Sequence, residues 1–161
     1  MSLKDRFGKK SEGLRKVDEL KERQPTSSIE KVVVDAQVLF YFHYNLQKVP
    51  ALLQDLKRKV IEGNIIIIIP TIAIAELFWK MRKNGKMNEM RIAIQRWESS
   101  ENVIIDPFDI EIIKLMLNNK DSHELHDEII ASTCRKYQVD TIYTTDKKFH
   151  ELFGLKLRSW K

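Results

Sequence analysis

The sequence predicts an α/β fold, a three-layer α/β/α sandwich around a mostly parallel sheet, and three observations carry that expectation. Short apolar runs (KVVVD, NIIIIIP, NVIID, TIYTT) alternate with segments of helical spacing, the pattern of strands joined by crossover helices. The run of five isoleucines at 65–69 has no polar alternation, as a central parallel strand covered on both faces requires. A length of 161 residues with 43% hydrophobic content suffices for a single core.

The elements follow in order. Residues 1–30 are crowded with Lys, Arg, Glu and Asp around Leu14, Val17 and Leu20 and end in the breaker-rich QPTSS. This reads as a basic N-terminal extension, helical or flexible, ahead of a domain spanning 31–161. Val32–Val34 form the first strand, running into Asp35 and the aromatic-rich QVLFYFHYNL, a buried helix start. A helix after Pro50 carries Leu52, Leu53, Leu56, Val60 and Ile61 on one side and ends at Gly63. Pro70 closes the isoleucine strand. Helices then span about Thr71–Arg82 and Met87–Trp97, before a short strand at Val103–Ile105. Asp109 caps a helix through Leu117, and NNKDSHE is a polar loop. The last long helix covers about Asp127–Tyr137, followed by a strand at Thr141–Thr144, a short helix begun by Asp146 and an edge strand within Lys156–Trp160. Phe40, Tyr41, Phe42, Phe78 and Trp79 lie in the most apolar segments and are expected in the core.

Bulk properties narrow the function. A formal charge of +5 biases the chain toward polyanions. The single Cys134 forms no internal disulfide, so a cytoplasmic setting is the simpler expectation. The charged start and the interruption of the longest apolar stretch by Pro70 and Glu76 argue against a signal peptide and a membrane span.

Four acids stand out. Asp35 and Asp146 each follow a strand directly; Glu76 (TIAIAELFW) and Asp127 (LHDEIIAS) sit in otherwise apolar helical segments. A carboxylate among core-facing residues is costly unless a cation meets it. Singly, each has an ordinary explanation: Asp35 and Asp146 as helix N-caps, Glu76 paired with Lys80, Asp127 favouring its own helix N-terminus. Together they form an oxygen-donor set suited to Mg²⁺ or Mn²⁺, able to position and activate a water and, in a two-ion version, to stabilise both the attacking and leaving oxygens of an in-line displacement. His123, His126 and Asp127 have a spacing that could serve zinc, but no further Cys or His partner is near.

In order and setting these acids resemble the PIN domain family: an Asp closing the first strand in KVVVDAQVLFYF, a Glu in the helix after the second in IIIIPTIAIAEL, an Asp in HDEIIASTC and a Thr-x-Asp in IYTTDKKF, over roughly residues 31–155. The resemblance implies that Asp35, Glu76, Asp127 and Asp146 are metal-binding catalytic positions and that Thr144 supports the last. Gln37 departs from the usual Asn, Ser or Thr, which alters support around the metal. It further implies a Mg²⁺- or Mn²⁺-dependent endoribonuclease cleaving RNA, of the general kind seen in VapC-type toxins, commonly a homodimer with an antitoxin partner. A catalytically inactive PIN-fold binding or scaffold protein is the alternative. A phosphoacceptor domain would need paired acids after the first strand and a lysine after the last, and neither is clear. Lys80, Arg82, Lys83 and Lys86 after Glu76, and Lys147 and Lys148 after Asp146, offer a substrate track for phosphates, or else are ordinary solvated helix ends.

Overall fold

The computed structural model describes residues 28–161, so Leu14, Val17, Leu20 and nearly all of the basic extension lie outside the described residues. Five parallel strands form one sheet: β1 (Glu30–Val34), β2 (Ile65–Pro70), β3 (Val103–Asp106), β4 (Thr141–Tyr143) and β5 (Lys156–Arg158), in spatial order β3-β2-β1-β4-β5. The expected mostly parallel sheet is parallel throughout. Seven helices connect or flank the strands among the described residues: α1 (Ala36–His43), α2 (Ala51–Ile61), α3 (Thr71–Lys83), α4 (Met87–Glu98), α5 (Ile110–Met116), α6 (Leu125–Lys136) and α7 (Lys148–Phe153), with a 3₁₀ turn at Leu46–Lys48.

The pleat sorts each strand between two cores, because successive side chains point to opposite faces. Val32 and Val34 of β1, with Ile65, Ile67 and Ile69 of β2, meet Val38, Leu39, Leu53, Leu56, Leu77 and Met90 from α1–α4. Val33, Ile68 and Ile142 face the other way, onto Ile130, Ala131 and Cys134 of α6 and Phe149 of α7. The isoleucine run is therefore uninterrupted because both of its faces are covered, which makes the three layers.

Boundaries differ from the sequence reading in ways that matter for the site. α6 starts at Leu125, so Asp127 lies inside its first turn rather than opening it. Pro70 is the last residue of β2 and has no N–H to lose to a neighbour. Asp146 precedes α7 by two residues; its Oδ1 accepts from the Lys148 N–H at 2.9 Å, so it braces the turn before the helix instead of starting it. β5 stops at Arg158, and Trp160 turns back to lie edge-to-face with Tyr41, centroids 5.9 Å apart. Trp79, expected in the core, is 56% exposed, because α3 buries the face of Ala73, Leu77 and Met81, and residue 79 lies away from it. Gly63 ends α2 at φ +76, the left-handed geometry that an L side chain adopts only with strain.

Candidate active site

Strand order reverses at β1. The chain runs outward through β2 and β3, then returns to place β4 against the other side of β1, with Val34 opposite Tyr143. At such a switch point the two neighbouring crossovers leave on opposite faces and a crevice opens beyond the carboxyl ends of the strands. Asp35, the first residue after β1, and Thr144, the first after β4, stand on the lips of that crevice.

Asp35 is only 8% exposed. Its Oδ1 accepts from the Ala36 N–H at 2.5 Å as the α1 N-cap, and its Oδ2 accepts from the Thr144 hydroxyl at 2.7 Å. Among the described residues no Lys, Arg or His forms a salt bridge with it. Burial pushes its pKa up to about 6; the two hydrogen bonds work against that rise, and the charges of Glu76 and Asp146 add to it. Thr144 is fully buried and holds two acids at once: its oxygen donates to Asp35 and accepts from the Asp146 N–H at 3.0 Å.

Asp127, half-buried on α6, is raised by burial in the first place, with Lys148 opposing and Asp146, Glu124 and Glu76 adding to the rise. Glu76 and Asp146 thus lie within electrostatic reach of both Asp35 and Asp127. Glu76 does not pair with Lys80. Its Oε1 lies 2.5 Å from the Nδ1 of His126, a contact between α3 and α6 across 50 residues of sequence. Gln37 is exposed, and its Oε1 accepts from the Thr145 hydroxyl.

The basic residues separate by helix geometry. At about 100° per residue, Lys80 and Lys83 continue the face of Glu76, whereas Arg82 points about 120° away from it. The Lys80 ammonium sits over the Phe40 ring at 3.6 Å and the Lys83 ammonium over Trp79 at 5.1 Å. Both lysines after Asp146 are exposed; Lys148 reaches Glu124 at 3.4 Å, and the charges of Glu124, Asp127 and Asp146 raise its pKa.

One acid at a strand end escaped the sequence reading. Asp106 closes β3, is 1% exposed, and is bound by Lys136 Nζ at 2.9 Å, the Tyr137 hydroxyl at 3.0 Å and the Thr133 hydroxyl at 3.3 Å. VIID carries the same signal as VVVD, an acid directly after apolar strand residues, but the strand expected at Val103–Ile105 ends one residue short of it.

The donors at the crevice are those a hard dication takes, carboxylate oxygens with lone pairs unspent by the hydrogen bonds described. Asp35, with neighbours of its own sign and no cation, is the group whose electrostatics such an ion would balance. Among the described residues, however, no three His, Cys, Asp or Glu side chains are drawn close enough to grip an ion between them. Nor is any described helix long and apolar enough to cross a membrane.

Comparison with known proteins agrees with this layout. The solved structure of VapBC2 from Rickettsia felis, bound to a DNA fragment from their promoter, contains a chain matching with TM-score 0.62 at 19% identity, over 81% of this chain and 99% of that one. A toxin–antitoxin complex from Klebsiella pneumoniae matches with TM-score 0.56 at 16% identity, over 81% and 98%. Mycobacterium tuberculosis VapC20, a sarcin-ricin loop cleaving toxin, matches with TM-score 0.55 at 12% identity, over 74% and 93%. At these identities the likeness is one of fold. No curated protein matches the chain in sequence. The family model of the PIN domain matches residues 32–154, from within β1 to the end of α7, and the chain belongs to the PIN domain family.

Proposed function

We propose that this chain is a divalent-metal-dependent endoribonuclease that hydrolyses RNA phosphodiester bonds, with Asp35, Glu76, Asp127 and Asp146 holding Mg²⁺ or Mn²⁺. The observation that carries this reading is Asp35, a carboxylate kept 8% exposed beside two further acids with no cationic partner among the described residues. A buried charge in that state is destabilising and persists in folds where a ligand supplies the missing cation. A dication bound there would lower the pKa of its water and bear charge on the phosphate oxygens. The residues of the chain do the rest: Thr144 fixes the orientation of Asp35 and Asp146 together, His126 holds Glu76, and Lys80 and Lys148 offer positive charge for the phosphates flanking the scissile one.

RNA as substrate is supported by the net charge of +5 and by the relative that cleaves the sarcin-ricin loop. The toxin–antitoxin complexes among the similar structures support a toxin role with an antitoxin partner, and a homodimer is part of the same reading. A specific observation favours a second reading, a non-catalytic PIN-fold binding protein: no ready-made group of three ligands is gathered among the described residues.

Cleavage of labelled single-stranded RNA separates the two. The nuclease reading expects cutting in Mn²⁺ or Mg²⁺, none in EDTA, and at least about a 100-fold loss in Asp35→Asn, since even outer partners of metal ligands are worth about 10- to 100-fold. Equal cleavage by Asp35→Asn and wild type identifies a contaminant and leaves the binding protein.

A further inference from the structure

Beside the crevice, between α1, α3 and the chain after β5, lies a cavity of about 310 Å³ walled by Gln37, Phe40, Tyr41, Glu76, Lys80 and Trp160. That volume is at the small end of the roughly 300–1,000 Å³ of small-ligand sites, room for a single nucleotide unit and not for a folded partner. Its walls are unequal in what they offer. Phe40 is already covered, stacked on Tyr44 at 4.7 Å and capped by the Lys80 ammonium at 3.6 Å. Tyr41 and Trp160 meet edge-to-face at 89°, an arrangement in which at least one ring keeps both faces clear of the other.

Polar groups are placed around these rings. The contact with Phe40 anchors the Lys80 ammonium on the wall, one helical turn from Glu76 on the same face. Lys161, next to Trp160, and Glu76 complete the polar part of the lining. With Oε1 of Gln37 engaged by Thr145, its Nε2 hydrogens remain for an acceptor in the cavity. Aromatic surface with ammonium groups at its edge is the chemistry that binds an unpaired base and its phosphate, since stacking serves the base and the cations serve the backbone.

We propose that this cavity is a nucleobase subsite: it takes one unpaired base of a single-stranded RNA, stacked on the Tyr41–Trp160 pair, with Lys80 on its phosphate and Gln37 at its edge, while the neighbouring phosphate lies at the acids. The inference rests on the nuclease reading of those acids for its strand direction, not for the binding itself. A base inside a duplex is stacked on both sides and cannot enter, so the subsite selects unpaired RNA. An aromatic pair beside the anchored Lys80 ammonium argues for a nucleotide over a peptide segment.

The test is binding of a set of RNA ten-mers, each with one abasic nucleotide at a different position, to wild type, Trp160→Ala, Tyr41→Ala and Gln37→Ala. Affinities are read both in EDTA and in Ca²⁺, so that repulsion between bare carboxylates and phosphate cannot hide an intact cavity. In wild type, abasic substitution at one position weakens binding roughly 5- to 150-fold, the range for one stacked base. In Trp160→Ala and Tyr41→Ala that penalty disappears, because the side chain that recognised the base is gone. Gln37 is exposed, so its variant tests the cavity with no packing lost; there the penalty shrinks while the fold is untouched. No RNA binding in either condition overturns the subsite. So does an abasic penalty unchanged by all three substitutions, and in that case a peptide partner is the occupant left. A side-chain-dependent abasic penalty with no cleavage in Mn²⁺ establishes the subsite and refutes the nuclease reading instead.

Discussion

Asp35 and Asp106 occupy equivalent places, each at the carboxyl end of a strand of the same sheet and each almost wholly buried, yet their surroundings are opposite. Asp106 has an ammonium and two hydroxyls from a single stretch of α6 and its C-terminus, Thr133, Lys136 and Tyr137. The carboxylates of Asp106, Glu111 and Asp109 around Lys136 raise its pKa. Asp35 has one hydroxyl, one backbone N–H and two neighbours of its own sign. The difference teaches that burial of an acid is not by itself a sign of function. At the end of β3 the fold neutralises the charge internally and uses it to fasten α6 to the sheet. At the switch point the charge meets no such cation among the described residues.

The comparison can be broken by truncating each acid in turn. Asp106→Ala leaves the Lys136 ammonium, 15% exposed, without its closest counter-charge and is expected to cost about 3 kcal/mol, the low end for removing one partner of a buried pair, because Glu111 at 3.3 Å and Asp109 at 3.7 Å remain. Urea unfolding reads this directly. A loss below about 1 kcal/mol would mean that the two acids are equivalent after all.

Neutralising Asp35 should act in the other direction. Its pKa is about 6 in the folded protein against 3.8 unfolded, so in that interval the folded state binds more protons and stability falls as pH rises. The penalty is complete above about pH 6 and absent below about pH 4. Without metal, Asp35→Asn is therefore expected to gain at most about 3 kcal/mol over wild type at pH 7.5, and nothing near pH 3.5. Millimolar Mn²⁺ should reverse the order at pH 7.5, raising the melting temperature of wild type and of Asp106→Asn but not of Asp35→Asn. Thermal melts at the two pH values in EDTA and in Mn²⁺ give all four corners; a wild-type melting temperature indifferent to Mn²⁺ refutes the metal reading.

The smallest effect sharpens the role of the shared hydroxyl. Thr144→Val keeps the shape and removes the group that serves Asp35 and Asp146 together, so about 1 kcal/mol of stability should go. The pH at which the Asp35 penalty becomes complete should also move upward, while its onset near pH 4 stays, since the hydroxyl is what holds the folded pKa down most strongly. An unchanged pH profile in Thr144→Val would show that the bond at 2.7 Å does not act on the acid.

Much of this was readable in the chain. The isoleucine run announces a strand buried on both faces, and VVVD and TIYTTD place two acids beyond strand ends before any contact is known. What could not be read is which acid is paired. Lys136 reaches Asp106 only because α6 packs across β3, and His126 reaches Glu76 only because α6 meets α3; neither juxtaposition leaves a local trace in composition or spacing. Trp79 failed as a core residue for a related reason, since an apolar segment says that a helix is buried but not how far around its circumference.

The adjacency of β1 and β4 also sets a time. Asp35 and Thr144 are 109 residues apart in the chain, and at about 5–20 residues per second a ribosome needs on the order of 5–20 seconds to add that stretch. Throughout that interval, and until residues 144–146 have emerged from the exit tunnel, a nascent chain has the first lip of the crevice and lacks the second. Anything that needs both lips of the crevice is therefore beyond the growing polypeptide until then.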